Sequence, residues 1–241
     1  MENNNSQLRD LARLGGILYL IVIVTGIYAE IFVVSNLVVG NDQTTTANNI
    51  VSHEALYRSG IIAHLLTLVS SLLLLGILFR IFKSTSERLA MTMVIFNVVA
   101  LTIEAVSILY EFETISILKS KMMAGVFSPD QVNSLAYQSL KMQTIGYDVA
   151  LFFFGIVCCF MSALILKSKL YLRWVGLLML LAGVCYITNS LASFISPAFR
   201  RSLLPFILIP CFIAELSFSI NLIVGPRTIG QLDVPKFAEL K

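Results

Sequence analysis

Glu30, His64, Glu104, Asp148 and Glu215 stand inside long apolar runs, and Arg58 lies near the start of one. Such side chains can exchange a proton, hold a cation or, through the guanidinium, anchor an anionic head group. An uncompensated charge at the centre of a membrane helix costs roughly 2.5–3.5 kcal/mol. Four carboxylates ionised at full depth would cost about 10–14 kcal/mol, as much as the ~5–15 kcal/mol that holds a whole domain together. They must therefore be paired, protonated, hydrated or coordinating something. Carboxylate oxygens and an imidazole also suit Zn, Mn or Fe. Yet no HExxH, HxxxH or ExxH spacing occurs, and there is no glycine-rich phosphate loop or nucleophile elbow.

The elements that position these groups follow from composition. The chain has 241 residues, of which 57% are hydrophobic and 13% charged, with a mean hydropathy of +0.86. A water-facing surface takes roughly 25–35% charged side chains, so a water-soluble fold and a disordered chain are both excluded. The net charge of +3 comes with no basic stripe, which excludes a nucleic-acid partner. Six apolar stretches reach the ~20 residues needed to cross a bilayer: 14–39, 56–79, 89–110, 144–166, 172–195 and 203–224. The predicted fold is all-α, a polytopic bundle of six transmembrane helices over 1–225, followed by a short cytoplasmic tail at 226–241. The first stretch is too long for the core of a cleavable signal peptide and reads as a retained helix. Cys158, Cys159, Cys185 and Cys211 all lie in apolar segments and read as small hydrophobes, with no disulfide framework.

Orientation follows from Lys and Arg. The short connections at 80–88 and 167–173 carry three basic residues each, whereas 40–57 carries none. Both termini are expected on the cytoplasmic side. On the other side, residues 40–55 read as a polar loop with at most one short surface helix, and Ser52 as the N-cap of the second span. Gly125 reads as a stop. Ser128-Pro129-Asp130-Gln131 reads as a start, with an N-cap, a proline in the first turn and a glutamine completing a capping box. Helices three and four are thus expected to continue past the membrane as an outer hairpin turning near 125–128. Val132, Leu135, Ala136 and Leu140 form its apolar face, which packs on the partner helix or folds over the bundle as a lid.

At 1.5 Å per residue, Glu30 lies about 24 Å beyond Leu14, and His64 about 12 Å from the outer end of its helix. Glu104, Asp148, Tyr186, Asn189, Ser190 and Ser193 also fall in the outer half, with Glu215 near the middle. The cytoplasmic halves are nearly bare of such groups. Tyr19, Gly26 and Glu30 share one side of helix one. His64, Thr67 and Ser71 share a face of helix two, as do Glu104, Ser107 and Glu111 on helix three. Lipid cannot solvate these stripes, so they are expected to face inward around an outer polar pocket. Glu30 is expected to pair with Arg58. Pro205 and Pro210, on the helix of Glu215, are expected to free the backbone carbonyls of residues 201 and 206 in the same outer half.

Ala12-Arg13-Leu14-Gly15-Gly16 with Tyr19, Gly26 and Glu30, Arg58-Ser59-Gly60, Phe153-Phe154-Gly155, Gly176 with Tyr186, and Pro210 with Glu215 follow one another along the chain. In this order and spacing they resemble the bacterial domain-of-unknown-function family 4386. The resemblance covers about residues 10–225. It implies a bacterial integral membrane protein with several spanning helices, and no activity.

The expected function is binding of a small ligand, lipid or cation in a pocket lined by Glu30, Arg58, His64, Glu104, Asp148, Tyr186, Asn189 and Glu215, in a sensor, carrier or accessory factor of the plasma membrane. The acids stop short of the cytoplasmic half, which favours a closed-ended pocket over a through-route. Two alternatives stand beside this reading. One is a membrane-embedded enzyme, metal-dependent through His64 with Glu104, Asp148 or Glu215. The other is a structural subunit of a membrane complex. The sequence assigns no cofactor and no partner beyond the bilayer and that ligand.

Overall fold

The computed structural model describes residues 2–226, with side chains at 6–196 and 207–226. The expected tail beyond Pro226, and the side chains of Arg200, Arg201 and Pro205, lie outside the described residues.

Apolar runs separated by short polar connections become helices because hydrocarbon leaves no other partner for backbone amides. The order is α1 (Glu2–Ile27), a π-helical segment (Tyr28–Val34), α2 (Ser35–Leu37), α3 (Gln43–Ser52), α4 (Glu54–Phe82), α5 (Glu87–Lys119), α6 (Lys121–Val126), α7 (Pro129–Ser168), α8 (Arg173–Ile195) and α9 (Pro197–Val224). No strand occurs among the described residues. Six of these helical stretches are long and apolar enough to cross a membrane, and the chain is a polytopic all-α bundle. Neighbours in the chain are neighbours in space. α1 packs on α4, α4 on α5, α5 on α7, α7 on α8 and α8 on α9, and α9 returns to α1.

The close α7–α8 contact has a local cause. A Cβ at Gly183 would stand 2.7 Å from the Gly155 carbonyl oxygen, and one at Gly155 would stand 2.9 Å from that of Gly183. Two glycines facing each other let the backbones touch, as small residues do at membrane helix interfaces.

α5 has 33 residues and α7 has 40, about 50 and 60 Å of helix. Both exceed the ~30 Å hydrocarbon layer, and they run on as a hairpin. Ser128 and Gln131 form the expected capping box with Pro129 in the first turn. The turn differs in detail. Helix three ends at Lys119, and Ser120 caps the separate α6 before the chain reverses. Val132, Ala136 and Leu140 are buried, while Leu135 is 41% exposed. α5 and α7 pack extensively on each other, so the apolar face meets its own partner helix rather than forming a lid.

Residues 43–52 form a ten-residue helix rather than a plain loop. Asp42 caps it, accepting hydrogen bonds from the Thr45 amide at 2.9 Å and the Thr45 hydroxyl at 2.6 Å. Those bonds hold the Asp42 carboxyl below the usual range. Thr46, Ala47 and Ile50 turn inward against the hairpin. Ser52 is therefore the last residue of α3, not the cap of the second span, which starts at Glu54 with no side-chain cap.

Buried apolar side chains form two clusters. One lies at the end with the α4–α5 and α7–α8 turns and includes Tyr19, Phe82, Met93, Leu164, Met179 and Phe218. The other lies at the hairpin end and includes Val33, Leu37, Ile50, Tyr57, Ile61, Ile108, Ile115 and Leu140. The polar residues lie between them.

Candidate functional site

Four spans cross from one apolar cluster to the other through a short polar interval. Glu30 falls between Ile23 and Val33. His64 and Thr67 fall between Ile61 and Leu74, Glu104 and Ser107 between Leu101 and Ile108, and Gln143, Tyr147 and Asp148 between Leu140 and Val157. The polar groups of these four spans thus share one internal layer, whereas Glu215 on α9 stands beside Ala214 and Phe218 of the first cluster.

His64 is its centre. The ring is 4% exposed, and both of its nitrogens face carboxylates. Nδ1 lies 2.9 and 3.1 Å from the two oxygens of Glu111 on α5. Nε2 lies 3.4 Å from Oε1 of Glu30 on the π-helical segment. Only a doubly protonated ring can donate to both at once; otherwise one carboxyl must carry the proton. Glu104, two helical turns before Glu111, is within electrostatic range of His64, Glu30 and Glu111. Two carboxylates thus bind one imidazole, with a third on the same face of α5 as Glu111.

The π-helical segment explains how Glu30 arrives there. A π turn bonds i to i+5, and here the Ser35 amide donates to the Glu30 carbonyl. The extra residue rotates the chain relative to a regular helix and brings Glu30 round towards α4. Gly60 on α4 admits the bulge, since a Cβ there would stand 2.8 Å from Cγ1 of Val33. The seam is pinned by Thr25–Thr67 at 2.7 Å and Tyr28–Ser59 at 2.8 Å.

A cavity of about 40 Å³ opens beside this group. His64, Glu111, Gln143, Thr144 and the Tyr57 phenol supply its polar wall; Val33, Val34, Val38, Gly60, Ile61 and Leu140 complete it. One water needs roughly 10–15 Å³ on this measure, so the space suits two or three waters or a small ion, not a lipid head group. Glu111 Oε1 and His64 Nε2 are buried and make no well-formed hydrogen bond.

A second polar group lies on α7, α8 and α9. Tyr186 donates to Glu215 Oε1 at 2.7 Å, and Ser193 donates to Asp148 at 2.5 Å. Tyr147, beside Asp148 on α7, is within electrostatic range of Glu30, Glu104, Asp148 and Glu215. Asn189 is buried on α8, its Oδ1 without a hydrogen bond.

Arg58 is elsewhere. It does not pair with Glu30: its Nε donates to Glu54 at 2.8 Å, and Lys119 approaches the other Glu54 oxygen at 2.7 Å. This triad is exposed at the helix ends, because an i,i+4 partner was within reach and required no burial of the guanidinium. α9 runs unbroken as helix through Pro205 and Pro210. Glu111 and Tyr147 were not among the expected site residues. Glu111 carried a signal, standing seven residues beyond Glu104 on one helix face. Tyr147 carried only its place beside Asp148.

Among the described residues no three His, Cys, Asp or Glu side chains converge as a metal-holding set. The reason is visible at His64, whose two carboxylates bind opposite edges of the ring rather than a common point. No curated protein and no solved structure matches the chain significantly. The model of the family described as Domain of unknown function (DUF4386) matches residues 14–225, nearly the whole bundle, and the chain belongs to that family.

Proposed function

We propose that this chain binds a small, positively charged ligand in its buried polar layer, as a multi-pass protein of a bacterial plasma membrane with both termini cytoplasmic. The observation that carries the reading is the charge at the centre of the layer. Glu30 and Glu111 flank one imidazole, and even an imidazolium leaves one negative charge uncompensated when these two acids are ionised. The base expected to pair with Glu30, Arg58, is held at the surface by Glu54. Membrane depth makes such an excess costly, and a cation relieves it. Basic residues at the α4–α5 and α7–α8 turns support the orientation, which sets the polar layer in the outer half.

Native mass spectrometry of gently extracted protein tests this. A bound cationic species is expected on the wild type and absent from Glu30→Gln/Glu111→Gln. An anionic or neutral adduct, or identical spectra for both proteins, would contradict the reading.

A further inference from the structure

Going beyond the cation reading, we infer that Glu30 and His64 form a proton-exchange site, in which a proton passes between Oε1 of Glu30 and Nε2 of His64 while Glu111 holds the ring by its other edge. The two edges of the ring are unlike. Nδ1 lies 2.9 and 3.1 Å from the two oxygens of Glu111 and donates there. Nε2 faces Oε1 of Glu30 at 3.4 Å and makes no well-formed hydrogen bond, although the residue is only 4% exposed. In a neutral imidazole one nitrogen donates and the other accepts, and the bond made by one fixes the role of the other. Glu111 thus keeps a proton on Nδ1 and turns the Nε2 lone pair towards Glu30. It is a positioning residue, and Glu30 is the exchange partner.

The step balances in atoms and charge. The O–H bond of a protonated Glu30 breaks, the Nε2 lone pair takes the proton, and an N–H bond forms, leaving a carboxylate against an imidazolium. The reverse step restores the neutral pair. Exposure sets which end meets water: the Glu30 side chain is 36% exposed and that of Glu111 only 5%. Water therefore supplies and removes the proton at Glu30, and each proton taken up adds one positive charge to the layer. The surrounding titratable groups stand further off or are engaged elsewhere. Glu104 on α5 is within electrostatic range of His64 and Glu30, and Tyr147 on α7 of Glu30 and Glu104. On α4, Tyr57 donates to the Glu111 carbonyl at 3.1 Å. Tyr28 is paired with Ser59, Glu215 accepts from Tyr186, and Asp148 accepts from Ser193. Among the described residues, Glu30 and Glu111 are the acids that pair with the ring.

The test is nitrogen-15 NMR of the purified full-length protein in detergent, with histidine labelled in the ring. The chain has 2 histidines, so His53→Gln leaves His64 as the single ring observed. Either nitrogen of a neutral ring can carry the proton, and the bond to Glu111 is what selects Nδ1 here. From alkaline to acid pH, Nδ1 is expected to stay protonated throughout, while Nε2 gains its proton in one step. Glu30→Gln removes the charge facing Nε2 and is expected to move that step by about one pH unit or more, with Nδ1 still protonated. Asp130→Asn, on the exposed hairpin, is expected to leave the step in place. Should Glu30→Gln fail to fold, the nitrogen that carries the proton in the neutral ring of the His53→Gln protein settles the question. The inference is overturned if that nitrogen is Nε2, or if Nε2 shows no step over the pH range in which the protein stays folded. It is also overturned if folded Glu30→Gln leaves the step unmoved. The mass spectrum judges the cation and the ring nitrogens judge the proton, so either reading can fall without the other.

Discussion

His64 is held by two carboxylates from two other segments, and this makes it the residue whose loss is expected to matter most. Replacing it by alanine leaves Glu30 and Glu111 facing each other with no base between them. Breaking a buried pair by removing one partner costs about 3–5 kcal/mol, and His64→Ala is expected to fall in that range in unfolding measurements. Arg58→Ala removes an exposed i,i+4 pair and is expected to cost less than about 1 kcal/mol. Equal losses for the two would contradict the placement of both residues. Asp42 gives a prediction of a different kind. Its carboxyl is held low in the folded chain by Thr45, so its stabilising contribution is complete above the unfolded carboxylate pKa. That contribution is lost as pH falls through the lower, folded value. Hydrogen exchange in α3, corrected for intrinsic rates, is expected to lose protection under acid in the wild type. Asp42→Asn is expected to show no such step.

Between elements, contact is set by what the side chains leave out. Gly155 and Gly183 let α7 and α8 approach until backbone meets backbone. Gly183→Ala would force a Cβ into the Gly155 carbonyl, and overpacking of this kind costs about 1–3 kcal/mol. The variant is expected to lower the midpoint of thermal unfolding, whereas Gly76→Ala, which meets nothing within 4 Å, is not. The spans and the hairpin were legible in the sequence because long apolar runs and the Ser128–Gln131 box have one physical solution. The π-helical segment was not legible. No residue in Tyr28–Val34 marks an i to i+5 turn, and the bulge exists because tertiary packing at Gly60 admits it. Glu30, inside this segment, meets His64 rather than the expected Arg58. α3 was half legible, since Asp42 and Thr45 form a sound cap, but a run of three threonines and two asparagines conceals the buried stripe of Thr46, Ala47 and Ile50.

Across the whole molecule, a polar layer is enclosed between two apolar clusters, within six spans that close on themselves in chain order. The level of that layer could be read from residue counting, because depth in a straight helix follows from 1.5 Å per residue. Its division could not. Which acid meets which base depends on rotation about each helix axis, and Tyr147 and Gln143 entered the site only through the packing of α7. The orientation has its own check. Single cysteines at Ser84 and at Asn41, in a chain freed of its four native cysteines, are expected to react with a membrane-impermeant thiol reagent from opposite sides. Asn41 is expected to react in intact cells, and the opposite pattern would invert the topology. The central claim, that the layer attracts positive charge, is tested most directly by unfolding the reconstituted protein across a series of small cations and anions at fixed ionic strength. A ligand that binds only the folded state stabilises it in proportion to RT ln(1 + [L]/Kd). The expected result is concentration-dependent stabilisation by a cation, lost in Glu30→Gln/Glu111→Gln, with no response to anions. Stabilisation by anions alone, or by no ion, would contradict the account.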